Sequence, residues 1–279
     1  MKHVALVTGA SSGIGEATVR RLLAAGWTVF AGARRVERMQ PLAQAGAHLL
    51  ALDVTDDASM SAAIAAIRAD GGRLDLLVNN AGYGSYGALE DVPIDEARRQ
   101  FEVNVFGLAR LIQLAAPVMR AQRSGTIVNI TSIGGRIHAP MGSWYHATKF
   151  AVEGLSDCLR MELAPFGIRV VIIEPGAIRT EWNAIARQGL LRQSGTGAYR
   201  EQAAQQAAML AGGDASSLAS APDVVAATIL KAAQAARPRT RYATGGGARS
   251  ILMLRRLLSD RGFDRAMRLA ARLLGRNAG

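Results

Sequence analysis

Val4-Ala5-Leu6-Val7-Thr8-Gly9-Ala10-Ser11-Ser12-Gly13-Ile14-Gly15 runs from a short β-rich apolar stretch straight into a loop punctuated by glycine. A helical pattern follows, with Ala17, Val19, Leu22 and Leu23 on one side, and it stops at Gly26. Glycine permits tight turning and close backbone approach, and a helix N-terminus offers N–H groups and its dipole to an anion. The spacing is Gly-x-x-x-Gly-x-Gly, not the commoner Gly-x-Gly-x-x-Gly. Between a strand and a helix, the loop Gly9, Ser11, Ser12, Gly13, Ile14, Gly15 reads as the seat of a dinucleotide pyrophosphate.

The alternation continues outward from that stretch. Strand-like runs at 28–33, 49–52, 74–78, 126–130 and 169–173 are separated by helical patterns at 36–45, 59–69, 94–119 and 144–164. The helix over 94–119 is expected to break near Gly107. Such alternation predicts an α/β fold, a parallel sheet covered by helices on both faces. A helix over 223–235 starting at Pro222 and a last strand over 240–244 complete the pattern. In open sheets of this kind functional residues gather at the carboxyl ends of strands. Each conspicuous polar or glycine cluster of the chain falls at such an end.

At the end of the second strand stand Ala33-Arg34-Arg35, with no acid until Glu37. An acid there would bind the ribose 2′-hydroxyl of NAD, whereas two guanidiniums suit a 2′-phosphate through charge-assisted, often bidentate contacts. NADP is therefore favoured over NAD; the plainer alternative is an arginine that stacks on adenine or faces water. Further on, Tyr145-x-x-x-Lys149 places a phenol and an ammonium one helical turn apart on the same face. A tyrosine with a pKa near ~10 moves protons poorly at neutral pH, and a nearby fixed positive charge lowers that pKa. Taken alone, the pair could equally be two surface residues on a helix.

The motifs at 8–15 and 79–82 (Asn79-Asn80-Ala81-Gly82), with Asn104, Ser132, Tyr145-x-x-x-Lys149 and Pro175-Gly176 followed by Thr180, resemble the classical short-chain dehydrogenase/reductase family. They stand in that family's order and cover roughly the first two-thirds of the chain. The resemblance implies a Rossmann-like doubly wound sheet of seven strands, a nicotinamide cofactor, and a catalytic tetrad at Asn104, Ser132, Tyr145 and Lys149. In those roles Ser132 stabilises the charge developing on the substrate oxygen. Tyr145 gives or takes the proton. Lys149 lowers the tyrosine pKa and binds the nicotinamide ribose, and Asn104 holds a water in a proton relay. The same resemblance sets Asp53 and Val54 beside adenine, Asn80, Ala81 and Gly82 on the adenosine side, and Pro175, Gly176, Ile178 and Thr180 at the carboxamide. His138 and His146 are left without a direct role, because the tyrosine makes a histidine base unnecessary. The resemblance also implies a homodimer or homotetramer.

At 279 residues and 49% hydrophobic composition the chain can fill a sizeable core. Its single cysteine, Cys158, excludes an internal disulfide, fits a reducing cytoplasm and reads as a small core residue. The N-terminal apolar run is too short for a signal peptide, and no apolar stretch is expected to reach membrane-spanning length. No cluster has metal-ligand spacing. Net charge is +11, and from Arg237 onward eleven arginines face only Asp260 and Asp264, so nine of those charges lie in the last segment. The expected organisation is a catalytic unit at 1–245, with a substrate lid over about 177–221, and a basic helical extension at 246–279 packed on it.

The lid region carries Trp182, Ile185, Leu190, Leu191, Tyr199, Met209 and Leu210, and Tyr83, Tyr86, Ile133, Met141 and Trp144 are expected near the same mouth. Trp182 joins Ser132 and Tyr145 as a substrate contact. An apolar, aromatic lining suits a hydrophobic ketone or secondary alcohol; the alternative is that half of these residues only pack the lid. The extension resembles that of 17β-hydroxysteroid and retinol dehydrogenases, which implies a steroid-like or other lipophilic carbonyl. Its helices, at 250–259 and 263–274, have apolar faces (Ile251, Leu254, Leu258; Phe263, Met267, Ala270, Leu274) with arginines between. They can pack over the cleft or a subunit edge, or touch an anionic membrane weakly. Nucleic acid is set aside, since no recognition motif accompanies the charge. The competing function is a non-catalytic NADPH-binding regulatory or scaffold protein that docks through this tail.

Overall fold

A computed structural model describes residues 2–215 and 219–276, with side chains at 213–215 and 272–276 excepted. In chain order the elements are β1 (Val4–Thr8), α1 (Gly13–Ala24), β2 (Thr28–Ala33), α2 (Gln40–Gln44), β3 (His48–Ala51), α3 (Asp57–Ala69), β4 (Leu76–Asn79), α4 (Ile94–Phe101), α5 (Leu108–Gln122), β5 (Gly125–Ile130) and α6 (Ser143–Leu163). They continue with β6 (Ile168–Pro175), α7 (Glu181–Ser194), α8 (Arg200–Ala215), α9 (Pro222–Gln234), β7 (Arg241–Thr244), α10 (Ala248–Leu257) and α11 (Asp260–Arg276). The seven strands form one sheet in the order β3-β2-β1-β4-β5-β6-β7, every neighbouring pair parallel. This is the Rossmann-like doubly wound sheet. Its winding reverses between β1 and β4, the point at which open sheets of this kind take their ligands.

Both faces of the sheet are covered, so central strands read as unbroken apolar runs; β1 is buried along its whole length. On one face Val19 and Leu22 of α1 and Val225 and Ile229 of α9 pack against Val7 and Val78. On the other, Leu108, Leu111, Ile112 and Met119 of α5 and Val152 of α6 pack against Leu77 and Ile127. A smaller cluster lies beyond the strand ends, where Tyr86, Met141 and Tyr145 meet Ala186 and Leu190 of α7 and Ala203 and Ala207 of α8.

Several expectations are corrected. The helical stretch Ile94–Gln122 does not break at Gly107 but runs on for 29 residues, with Glu102–Gly107 wound as a wider π-turn between α4 and α5. Glycine serves close approach there, because a Cβ on Gly107 would lie 2.2 Å from the Val54 carbonyl oxygen. By length and composition that stretch is also long and apolar enough to cross a membrane, contrary to expectation. Its apolar side is spent in the core through Leu111, Ala115 and Met119. Cys158 is exposed: it lies two residues past buried Ser156 and so turns away from the inward face of α6. In the lid region Leu190 is buried, while Ile185 and Leu191 face outward.

Beyond β7, α10 and α11 fold back on the body. Phe263 is fully buried, with His138 edge-on at 5.2 Å and the Arg255 guanidinium over its ring at 5.4 Å. Of the apolar face expected on α10, Leu254 instead points outward; Leu274 lies outside the described side chains.

Candidate active site

The loop after β1 is held by the loop after β4. The Thr8 hydroxyl accepts the backbone N–H of Asn80 (3.0 Å) and of Ala81 (2.9 Å), and Asn80 Nδ2 donates to the Thr8 carbonyl at 2.9 Å. Gly9 adopts φ +66°, and a Cβ there would meet Asn80 Nδ2 at 2.9 Å; one on Gly15 would meet the Gly9 carbonyl oxygen at 2.2 Å. Neither position has room for a side chain. Ser12 caps α1 in an extended conformation without a side-chain bond, so the first N–H groups of α1 face the loop ready for an anion. Thr180, N-cap of α7, accepts the Trp182 N–H at 3.3 Å, and its methyl would sit 3.1 Å from a Cβ on Gly13. It therefore leans over the glycine loop.

At the end of β2, Arg34 and Arg35 are exposed, and Arg35 Nη2 donates to Ser11 Oγ at 3.3 Å. Burial pulls the Asp53 carboxyl upward. Two bonds from Thr55 (2.9 and 2.8 Å) and the Arg34 charge nonetheless hold it below the usual range. Arg38 pairs with Glu181 at the start of α7, Nη1 to Oε2 at 3.1 Å. An ion pair thus spans from the segment after β2 to the start of α7. On the other flank Gly176 packs so closely that a Cβ would lie 2.2 Å from the Gly246 carbonyl oxygen, and Ile178 pairs with Ser220.

Ser132, Tyr145 and Lys149 converge at the ends of β5 and α6. Ser132 caps the short turn after β5, its Oγ accepting the Gly134 N–H at 3.0 Å and donating to the Pro175 carbonyl at 3.5 Å. Lys149 Nζ donates to the Ile130 carbonyl at 3.0 Å and lies 6.0 Å from the Tyr145 ring centroid. Asn104 sits in the π-turn; its Oδ1 accepts the Tyr83 N–H (3.0 Å), and Nδ2 donates to the Tyr83 carbonyl (2.9 Å) and the Thr148 hydroxyl (3.1 Å). The amide thereby stitches the loop after β4 to α6. Tyr145 is only 7% exposed, with Trp182 at 5.1 Å and Tyr86 at 5.4 Å between centroids. Trp144 does not join them; it packs edge-on against Phe101 of α4.

Dryness dominates the electrostatics. Burial pushes Tyr145 up to about 12, against the lowering effect of the Ser132 hydroxyl. Burial also pulls Lys149 down to about 8, against the upward effect of Glu153. The direction of the phenol's shift is therefore opposite to the expected lowering by the ammonium, because burial disfavours the phenolate. His146 is buried, its Nδ1 donating to the Gly134 carbonyl at 2.8 Å. His138 bonds Asp264 of α11.

Sequence reasoning missed a set of charges beneath these residues. Buried Glu153 accepts the Thr131 hydroxyl at 2.7 Å and Arg241 Nε at 3.0 Å. Arg241 also reaches Asp157 at 2.6 Å and lies 3.7 Å from Glu174. Thr131 precedes Ser132, Glu153 follows Lys149 by one turn, and Glu174 precedes Pro175. One ion cluster therefore clamps the backbone carrying all three. The spacing of Lys149 and Glu153 was a usable signal; Arg241, far along the chain, gave none.

The family model for short chain dehydrogenase matches residues 3–190. A probable short-chain type dehydrogenase/reductase of Helicobacter pylori is 34% identical over 273 residues, 98% of each chain. The chain belongs to the short-chain dehydrogenase/reductase family. It is an oxidoreductase of that family. Two further relatives each match about two thirds of the chain. A 3-ketodihydrosphingosine reductase of Bacteroides thetaiotaomicron is 40% identical over 64% of this chain and 65% of its own. An NADPH-dependent 3-dehydrocapnine reductase of Ornithobacterium rhinotracheale is 40% identical over 66% and 69%. A Streptomyces avermitilis short-chain dehydrogenase structure superposes with TM-score 0.79 at 39% identity over 91% of both chains. A metagenomic short-chain oxidoreductase in complex with NADP gives 0.67 at 29% identity over 86% of this chain and 95% of its own. A Burkholderia phymatum enzyme in complex with NAD gives 0.78 at 25% identity over 92% of both. Short-chain dehydrogenases bind a nicotinamide dinucleotide, and the residues here fit one: glycines at 9 and 15 that exclude a Cβ, beside an uncapped helix N-terminus.

Proposed function

We propose that the protein is an NADP(H)-dependent oxidoreductase that moves hydride between the nicotinamide and a hydrophobic ketone or secondary alcohol. The observation that carries this reading is Tyr145, buried under Trp182 and Tyr86 with Lys149 Nζ 6.0 Å from its ring centroid. Gly9, Ser11, Ser12, Gly13, Ile14 and Gly15 would hold the pyrophosphate. Asp53, Val54, Asn80, Ala81 and Gly82 would flank the adenosine, and Pro175, Gly176, Ile178 and Thr180 the carboxamide. When bound, the reduced cofactor supplies hydride to the carbonyl carbon. Ser132 donates a hydrogen bond to the carbonyl oxygen, so negative charge developing there meets a preplaced donor. The Tyr145 phenol passes its proton to the same oxygen. Lys149, charged at neutral pH, steadies that phenolate and reaches the ribose; Asn104 holds the loop and α6 in register.

Exposed Arg34 and Arg35 support NADP over NAD, as does the NADPH-dependent relative, while one structural neighbour holds NAD. The aromatic cover supports a lipophilic carbonyl, steroid-like or otherwise, and two relatives are named for 3-keto or 3-dehydro compounds. Phe106 of the π-turn and Phe150 and Met161 of α6 are 48–72% exposed, which supports a homodimer or homotetramer. The exposed thiol of Cys158 favours the cytoplasm. Turnover of a panel of hydrophobic ketones, followed by NADPH and NADH absorbance, tests the reading. NADPH oxidation with at least one ketone is expected, and Tyr145→Phe should lower kcat by about 100-fold or more with NADPH binding retained. Tight NADPH binding without turnover of any ketone would instead favour a non-catalytic cofactor-binding protein.

A further inference from the structure

Most of the molecule's net charge lies on two helices that also expose apolar side chains. On α11, Phe263, Met267, Ala270 and Ala271 turn toward the body, and Arg261, Arg265, Arg268 and Leu269 turn away. On α10 the outward side carries Arg249, Met253, Leu254, Arg256 and Leu257, with Leu257 74% exposed. Inward-facing Arg255 is committed to Asp260 at 2.6 Å. Among the described residues no ion pair involves Arg249, Arg256, Arg261 or Arg265. Arginines interleaved with exposed leucine and methionine on the solvent side of each helix match an anionic headgroup layer above acyl chains. A folded protein partner of matching shape would not need so one-sided a charge.

The two helices also touch the site. α11 lies along α8, whose Ala203 and Ala207 belong to the cluster around Tyr145. His138, from the loop after Ser132, bonds Asp264 at 2.8 Å.

We propose that the outward side of α10 and α11 is a docking surface for anionic phospholipid membranes, which sets the lid helix α8 and the loop after Ser132 beside the bilayer. The docking stands by itself; its use in collecting a lipophilic substrate from the membrane rests on the function proposed above.

Co-sedimentation of the full chain with phosphatidylcholine vesicles, with and without phosphatidylglycerol, tests this. Binding is expected to anionic vesicles at least about tenfold more tightly than to neutral ones, and to fall as salt rises. The double variant Arg256→Gln/Arg265→Gln should lower the partition constant roughly 30-fold. Leu257→Ser, which leaves every arginine in place, should weaken it as well. Turnover of a short water-soluble ketone should be unchanged in these variants, while turnover of a vesicle-embedded ketone falls. Equal affinity for neutral vesicles, or no vesicle binding, overturns the proposal. So does a Leu257→Ser variant that binds vesicles as the wild type but changes sedimentation mass, since the face would then join copies of this chain. If the wild type turns over no ketone, the proposed function fails while the vesicle result still decides the docking.

Discussion

At Lys149 two opposing effects set the working charge. Burial pulls its pKa down to about 8 and the Glu153 carboxylate pulls it up. The ammonium is thus complete below that value and lost as pH rises through it, so ketone reduction should fall on an alkaline limb near pH 8. Glu153→Gln removes the upward pull, so that limb should move to lower pH, a shift that loss of packing alone would not produce. The same variant leaves Arg241 with one partner fewer and should cost about 2–3 kcal/mol in urea unfolding. At the ribose end, Arg34→Ala and Arg35→Ala remove a charged donor each. Either should raise KM for NADPH by roughly tenfold or more and leave KM for NADH nearly unchanged. Equal effects on the two cofactors would remove the 2′-phosphate argument.

The element that most rewards perturbation is the π-turn at Glu102–Gly107. It carries Asn104, whose amide is spent on Tyr83 and Thr148, and it ends at a glycine pressed against the Val54 carbonyl. Gly107→Ala puts a methyl 2.2 Å from that oxygen and should cost about 1–3 kcal/mol in stability. Activity should fall by more than stability alone explains, because the displaced turn carries Asn104 away from α6. Thermal melts with and without NADPH, alongside kcat, check this; wild-type stability would show that the turn moves freely. The turn also shows how the sequence misleads. Glycine inside a helical pattern reads as a break, whereas tertiary contact with the β3–α3 loop makes it a site of close approach.

In the molecule as a whole, α10 and α11 are tied to the body by Phe263, His138–Asp264 and the run of α11 along α8. They should unfold with it rather than as a tail. Phe263→Ala should cost about 3 kcal/mol and keep a single calorimetric transition; a separate early transition would show that the helices melt alone. The alternation of strands and helices was legible from residue patterns because buried parallel strands must be apolar throughout and helices must be apolar on one side. The glycine loop, Arg34-Arg35 and Tyr145-x-x-x-Lys149 were legible because each lies within one loop or one helical turn. Which way Cys158, Ile185 and Leu191 point was not, since a phase error of one or two residues turns a helix face from core to solvent. The sequence by itself determined the order of elements and the chemistry available at the strand ends. Tertiary structure alone decided that Tyr145 sits dry beneath Trp182, and that Arg241 closes a charge cluster behind Ser132 and Lys149. Both depend on residues far apart in the chain, brought together by the packing of α7 and of the seventh strand.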